Sequence, residues 1–293
     1  MINEGLKSDL EKKLTKVLDQ KLSIDSIVSQ GGGSINEAYR LSTNISPLFL
    51  KVNSASKYPR MFETEAIGLN TLASTNTLRI PEPLITGKYR DQAYIVMNHI
   101  GSGSPVLDFW DEFGHKLAGM HQVSAAYFGF ESDNYIGSLN QSNKQMDSWS
   151  EFFVQERLEP LVKTARDSRQ LDTNLNKDFE KLYSVLQDFF PIEPSSLLHG
   201  DLWSGNFMAD ANGDPVIYDP AVYFGHREMD IAMSRLFGGF DISFYEAYNE
   251  HYPMENGWQD RLEVCNLYPL MVHVILFGGA YLQDVKSILK RMV

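Results

Sequence analysis

Cysteine is almost absent from this sequence: one residue, Cys265, in 293. A lone cysteine excludes an internal disulfide and a Cys-rich zinc site, and it fits a reducing cytoplasm. No run approaches the roughly 18 consecutive apolar residues that a membrane-crossing helix needs. The stretch Met1–Gln20 is amphipathic and charged, without the basic start and apolar core of a secretory signal. Basic residues are in the minority, with 26 Lys and Arg against 38 Asp and Glu for a net charge of −12. Such a balance argues against a grip on nucleic acid or on an anionic membrane, both of which reward clustered Lys and Arg. Neither the Gly-x-Gly-x-x-Gly spacing nor the Gly-x4-Gly-Lys-Ser/Thr loop occurs, so a Rossmann or Walker nucleotide site is not supported. Internal repeats and low-complexity segments are also missing.

What is present is an ordinary globular composition, 43% hydrophobic and 22% charged. The length is about two domains' worth at roughly 150 residues each. Residues 3–20 read as a helix, with Leu6, Leu10, Leu14, Val17 and Leu18 at helical spacing. The glycine cluster Gly31-Gly32-Gly33-Ser34-Ile35-Asn36 follows, then two strand-like runs, Ala38–Leu41 and Leu48–Val52. Residues 60–75 return to helical period, placing Phe62, Ala66, Leu69 and Leu72 on one face. Pro81 and Pro83 introduce two more apolar runs, Leu84–Thr86 and Ala93–Met97. Beyond a Gly/Ser/Pro-rich connector at 101–105, helical periodicity dominates 108–122, 148–166, 174–190, 228–250 and 258–290. The block Leu197–Tyr218 is the exception. The expected architecture is α+β and two-lobed: a small antiparallel sheet with a covering helix over residues 1–100, and a larger helical lobe over 101–293. A body of that kind offers a cleft where small molecules bind.

The chemistry concentrates in Leu197-Leu198-His199-Gly200-Asp201-Leu202-Trp203-Ser204-Gly205-Asn206. Phosphoryl transfer needs a carboxylate to accept the proton of the attacking hydroxyl, and a nearby neutral oxygen donor for Mg2+. Asp201 and Asn206, five apart in a short loop, supply both. A surface turn would use the same residue types, so the neighbours decide. Val216-Ile217-Tyr218-Asp219-Pro220 is a short apolar strand ending in a carboxylate, suited to a second Mg2+ ligand. Lys51 is embedded in a strand, and Glu65 lies in the following helix, where it could pair with Lys51 and aim it at the α/β-phosphates of ATP. Glu63 falls on another face of that helix. The glycine cluster would let backbone N–H groups approach phosphates, though taken by itself it reads better as a plain flexible turn. The series of glycine-rich turn, strand Lys, helix Glu, Asp-x4-Asn loop and strand-end Asp runs in the order a protein-kinase-like catalyst needs.

These motifs resemble those of the fructosamine kinase (ketosamine-3-kinase) family. The resemblance rests on His199–Asn206, Tyr218-Asp219-Pro220-Ala221, Gly225-His226-Arg227-Glu228 and Leu236-Phe237-Gly238-Gly239-Phe240. It extends to Lys51-Val52-Asn53, Met61–Glu65, Val96–His99 and Asp147-Ser148-Trp149, in order across nearly the whole chain. It implies ATP- and Mg2+-dependent phosphorylation of the sugar 3-hydroxyl of a ketosamine, carried on a small amine or on a protein lysine, as a deglycation repair. Under it Asp201 is the base, Asn206 and Asp219 are the Mg2+ ligands, and Lys51 with Glu65 orients phosphate. Gly31, Gly32, Gly33 and Ser34 cover the phosphates, the backbone of Asn98 and Ile100 holds adenine, and Trp203 and His226 stand with the substrate. Asn98 replaces an acidic residue common in relatives. Ser34 stands where some relatives carry a cysteine, which removes a thiol switch there.

Gly200 takes the place of the arginine that reads a phosphorylated activation loop in eukaryotic protein kinases, and no Ala-Pro-Glu segment follows Asp219. A constitutively competent enzyme is therefore expected. His273, in an apolar run, is expected to be a core histidine, and His115 and His121, on an apolar helix face, are expected to have structural roles in place of ligation. Two other functions remain open at this stage. One is a related kinase acting on an aminoglycoside, choline, homoserine or another sugar. The other is a catalytically dead binding module, against which stands the complete phosphoryl-transfer inventory.

Overall fold

The computed structural model describes residues 2–31 and 35–292. The chain divides into two compact units, one formed by Met1–Val106 with Met208–Tyr218, the other by Leu107–Phe207 with Asp219–Val293. The division therefore falls at 106/107 and not at 100/101, and an eleven-residue segment expected in the helical lobe belongs with the first unit.

In the first unit, α1 (Glu4–Leu18) is opened by Asn3, whose side chain accepts the N–H of Leu6 at 2.9 Å. Five strands follow: β1 (Ile24–Gln30), β2 (Glu37–Thr43), β3 (Leu48–Ser54) and, after α2 (Met61–Ala73), β4 (Pro83–Tyr89) and β5 (Gln92–Asn98). They form one antiparallel sheet in the order β1-β2-β3-β5-β4. The leucine stripe of α1 (Leu6, Leu10, Leu14) is buried in one cluster with Leu41, Leu48, Leu50, Val52, Tyr94 and Val96. Burying a leucine is worth about 1.5–3 kcal/mol, so this stripe alone anchors α1. A polar tie adds register, since the Tyr94 hydroxyl donates to Asp9 and accepts from Lys13.

The second unit opens with α3 (Phe109–His121), followed by the β6 (Asn134–Ile136) and β7 (Leu139–Gln141) hairpin. The helical stretch expected at 148–166 is three pieces: α4 (Trp149–Phe152), one turn of wider π-helix at Phe153–Leu158, and α5 (Glu159–Asp167). Next come α6 (Thr173–Val185) and β8 (Ser196–Leu198). The chain then makes the hairpin β9 (Phe207–Ala209) and β10 (Pro215–Ile217). Most of that hairpin is tied into the first unit by the Arg79–Asp210 ion pair and by the Ile217 N–H to the Arg79 carbonyl, 3.2 Å.

Back in the second unit, β11 (Tyr223–Gly225) pairs antiparallel with β8. Then follow α7 (Glu228–Leu236), α8 (Ile242–His251), α9 (Trp258–Cys265), α10 (Leu267–Phe277) and α11 (Leu282–Met292). The expected 228–250 helix breaks at Gly238 and Gly239, both at positive φ. Helices α3 and α8 lie close because position 114 is glycine. A Cβ there would sit 2.3 Å from the Phe244 carbonyl oxygen. Among the described residues no helix is long and apolar enough to cross a membrane.

Candidate active site

In the first unit, strand β3 delivers Lys51 and helix α2 delivers Glu65, whose side chains meet at 2.7 Å. Lys51 is buried at 5% exposure. An ammonium in such a place needs a carboxylate to offset its lost hydration. Glu63, the competing acid, is exposed on another face of α2. Asn98 ends β5, and its side chain is already used, accepting the Glu82 N–H at 2.7 Å. Ile100 is buried. Gly31 is exposed, and a Cβ there would meet nothing within 4 Å. Gly32, Gly33 and Ser34 lie outside the described residues.

The second unit carries the acid loop. Strand β8 ends at Leu198, and the chain turns through Gly200 at φ +81°. A Cβ on Gly200 would stand 2.1 Å from the Ala221 carbonyl oxygen, so the loop requires glycine here. His199 is fully buried, and its Nδ1 accepts the Asp201 N–H at 3.2 Å. Asp230, from α7, accepts the N–H of His199 at 2.7 Å and of Gly200 at 2.9 Å. Its own orientation is fixed by His121, which also meets the Tyr248 hydroxyl. Asp230 thus holds the backbone that aims Asp201. The sequence reading missed it, because a buried aspartate inside a helix carries no spacing signal until its partners are known.

Asn206 and Asp201 do come together. The Asn206 amide Nδ2 donates to the Asp201 carboxylate at 2.9 Å and to the Asp201 carbonyl at 2.8 Å, and it lies 3.5 Å from the Asp219 carbonyl. Asp219 is held at φ +57°, a left-handed conformation that non-glycine residues adopt at some cost. Burial pushes the Asp201 carboxyl up to about 7. The hydrogen bond from Asn206 opposes that rise, and the nearby Asp219 and Asp230 charges add to it. A carboxylate poised near neutrality suits a general base.

Beside Asp201 lies a cavity walled by Tyr223, Met229, Met233, Tyr268, Val272 and His273. Trp203 stays on the surface at 36% exposure, edge-on to Phe237 at 6.0 Å. Its ring requires Gly205, where a Cβ would stand 2.4 Å away. Two histidine expectations need correcting. His226 is not at the cavity but buried between Trp149 and Phe190, next to the Glu193–Arg227 and Glu228–Arg261 ion pairs. Burial pushes it down to about 4, so it is neutral. Conversely His273 is not a core residue. It lines the cavity, half-buried, with Phe237 and Tyr281 rings at 4.8 Å. His115 is part-exposed, 3.9 Å from Glu250.

The fructosamine kinase family profile matches residues 6–293. A protein-ribulosamine 3-kinase of Arabidopsis thaliana is 40% identical over 275 residues, covering 91% of this chain and 82% of its own. A Synechocystis protein named as a ketoamine kinase is 37% identical over 283 residues, covering 96% and 95%. Among solved structures, a Thermobifida fusca protein assigned as a fructosamine-3-kinase superposes with a TM-score of 0.86 at 31% identity, covering 96% and 97%. An aminoglycoside phosphotransferase mutant, in a ternary complex with AMP-PNP and hygromycin B, shares the fold at a TM-score of 0.64 and 16% identity, covering 96% and 98%. The α+β, protein-kinase-like architecture expected from the motif order is thereby established.

Proposed function

The chain belongs to the fructosamine kinase family, and on that premise we propose that it transfers the γ-phosphoryl group of ATP to the 3-hydroxyl of a ketosamine sugar. The observation that carries this reading is the pairing of Asp201 with Asn206 beside a cavity walled by Tyr223, Tyr268 and His273. In the reaction the sugar oxygen forms a bond to the γ-phosphorus while the bond from that phosphorus to the β,γ-bridging oxygen breaks. The hydroxyl proton passes to the Asp201 carboxylate, and ADP leaves. Lys51, held by Glu65, orients the α/β-phosphates, and the backbone at Asn98 and Ile100 receives adenine.

The donor set fits Mg2+. Asn206 spends its amide nitrogen on Asp201, so its hard amide oxygen and the Asp219 carboxylate are the groups that would hold the ion. Two protein ligands suffice, because Mg2+ keeps several waters and takes the rest from phosphate. Bound there, Mg2+ would neutralise the phosphate charge. Trp203 and His273 flank the acceptor. The substrate is a glycated amine, free or on a protein lysine, and the setting is the cytoplasm.

The test is ATP consumption by the purified protein with ribulosamine, erythrulosamine and fructosamine adducts side by side, against choline, homoserine and kanamycin. Turnover of the first set and phosphate on O3 is expected. Turnover of the second set alone overturns the reading.

A further inference from the structure

Arg157 is the largest fully buried side chain of the protein, at 0% exposure. It faces no carboxylate: among the described residues its only hydrogen bonds go to neutral acceptors. One guanidinium nitrogen donates to the Ser142 carbonyl at 2.5 Å and the Glu156 carbonyl at 3.1 Å, the other to the Asn143 Oδ1 at 2.7 Å. Its Nε has no hydrogen-bond partner among the described residues. The remaining neighbours are rings, with Tyr223 at 4.0 Å, Phe152 at 4.5 Å and Tyr268 at 5.5 Å from the guanidinium. Burying a charge without a counter-charge costs several kcal/mol, which cation–π contacts of about 2 kcal/mol each offset only in part. A methionine of similar length would carry no such penalty.

Two features tie this residue to the reaction. Tyr223 and Tyr268 both wall the cavity beside Asp201. Arg157 also stands in the π-helical turn, a distortion that recurs at functional sites. Tyr268 is gripped twice, from the π-helical turn and from β7. Arg157 takes its ring, while Gln141, adjacent to Ser142, accepts its hydroxyl and donates to the Asn134 side chain and the Ala221 carbonyl. Ala221 is two residues from Asp219. Tyr268 lies in the first turn of α10, which also brings Val272 and His273 to the cavity.

We propose that Arg157 is a positioning residue for the acceptor sugar: its fork locks the end of the β6–β7 hairpin to the rings of Tyr223 and Tyr268, fixing the wall against which the ketosamine lies. This rests on the reading that the cavity receives the sugar. Arg157 touches neither substrate directly, and its effect should be confined to the acceptor.

The full-length protein is compared with Arg157→Met, which keeps length without charge, and Arg157→Lys, which keeps charge but lacks the planar fork that reaches Ser142 and Asn143 from separate nitrogens. Thermal midpoints and KM values for one ketosamine and for ATP are measured. Arg157→Met is expected to melt at or above the wild-type temperature, with the ketosamine KM raised about tenfold or more and the ATP KM unchanged. Arg157→Lys should show the same selective rise. An unchanged ketosamine KM in either folded variant overturns the proposal, as does a parallel rise in both KM values with a lowered midpoint. Failure of both variants to fold also overturns it, since Arg157 would then serve the core. Absence of ketosamine turnover in the wild type would instead remove the proposed function itself.

Discussion

The Asn206 amide donates to both the carboxylate and the carbonyl of Asp201, at 2.9 and 2.8 Å. These two hydrogen bonds from one side chain hold the proposed base in place and turn the amide oxygen away from it. Replacing Asp201 with Asn should lower kcat by about 10²–10⁴-fold, the usual worth of a general base, with little change in ATP KM. Steady-state kinetics check it, and near-normal turnover would mean that another group takes the proton.

Asp201 also predicts two pH effects of opposite value to the protein. Because only the ionised form accepts a proton, kcat/KM should rise with pH through about 7. Stability should move the other way. The folded protein holds this proton up to about 7, against an ordinary 3.8, so the contribution is complete below the ordinary value and is lost as pH climbs through the folded one. Melting curves of Asp201→Asn and wild type should therefore converge near pH 4 and separate toward about pH 8, the variant being the more stable. A gap that does not change with pH refutes the assignment.

Asp219→Asn should raise the Mg2+ concentration needed for half-maximal rate by about tenfold or more, since an amide is the weaker ligand for a hard cation. A magnesium titration at saturating ATP measures it. Glu65→Gln should raise the ATP KM and leave the ketosamine KM unchanged, because the Lys51 partner lies in the first unit.

Two glycines of the expected site should behave differently on substitution with alanine. At Gly200 the positive φ and the 2.1 Å approach to the Ala221 carbonyl should cost more than about 1 kcal/mol of stability and much of the activity. At Gly31, where a Cβ meets nothing, the melting temperature should stay within a degree or two of wild type, the loss being about nil.

His226 is held neutral by burial, down to about 4 from an ordinary 6.5, so the native state binds fewer protons than the unfolded one in that interval. Its contribution is present above the ordinary value and lost as pH falls toward the folded one. His226→Gln should flatten the acid side of the stability profile and leave the ketosamine KM unaltered. A raised ketosamine KM at unchanged stability would restore the substrate role that the buried position denies it.

The parts of this protein legible in the sequence are those set by periodicity and by short-range spacing. The leucines of α1, the residues around Lys51 in β3 and the Asp201–Asn206 interval each carry their meaning within a dozen residues. Lys51 and Glu65 are fourteen apart, yet the strand-then-helix order brings them together. What could not be read depends on distant partners. Asp230 matters because of two N–H groups thirty residues away, and Gln141 because of Ala221 and Tyr268. His226 and His273 exchange the positions expected of them for the same reason. His226 stands in Gly225-His226-Arg227-Glu228 and His273 in the apolar run Met271–Ile275, and only packing decides which faces Asp201. The π-turn at Phe153–Leu158 is hidden inside a plain helical pattern.

The chain passes between its two units three times, at 106/107, 207/208 and 218/219, so neither unit is a continuous stretch. No single cut in the gene separates them. A recombination event that exchanged the C-terminal portion would bring a foreign β9–β10 hairpin to Arg79, along with its new acid loop. Under the proposed function, selectivity for the acceptor would change by point substitutions in the wall around Tyr268 and His273 and not by exchange of one contiguous segment.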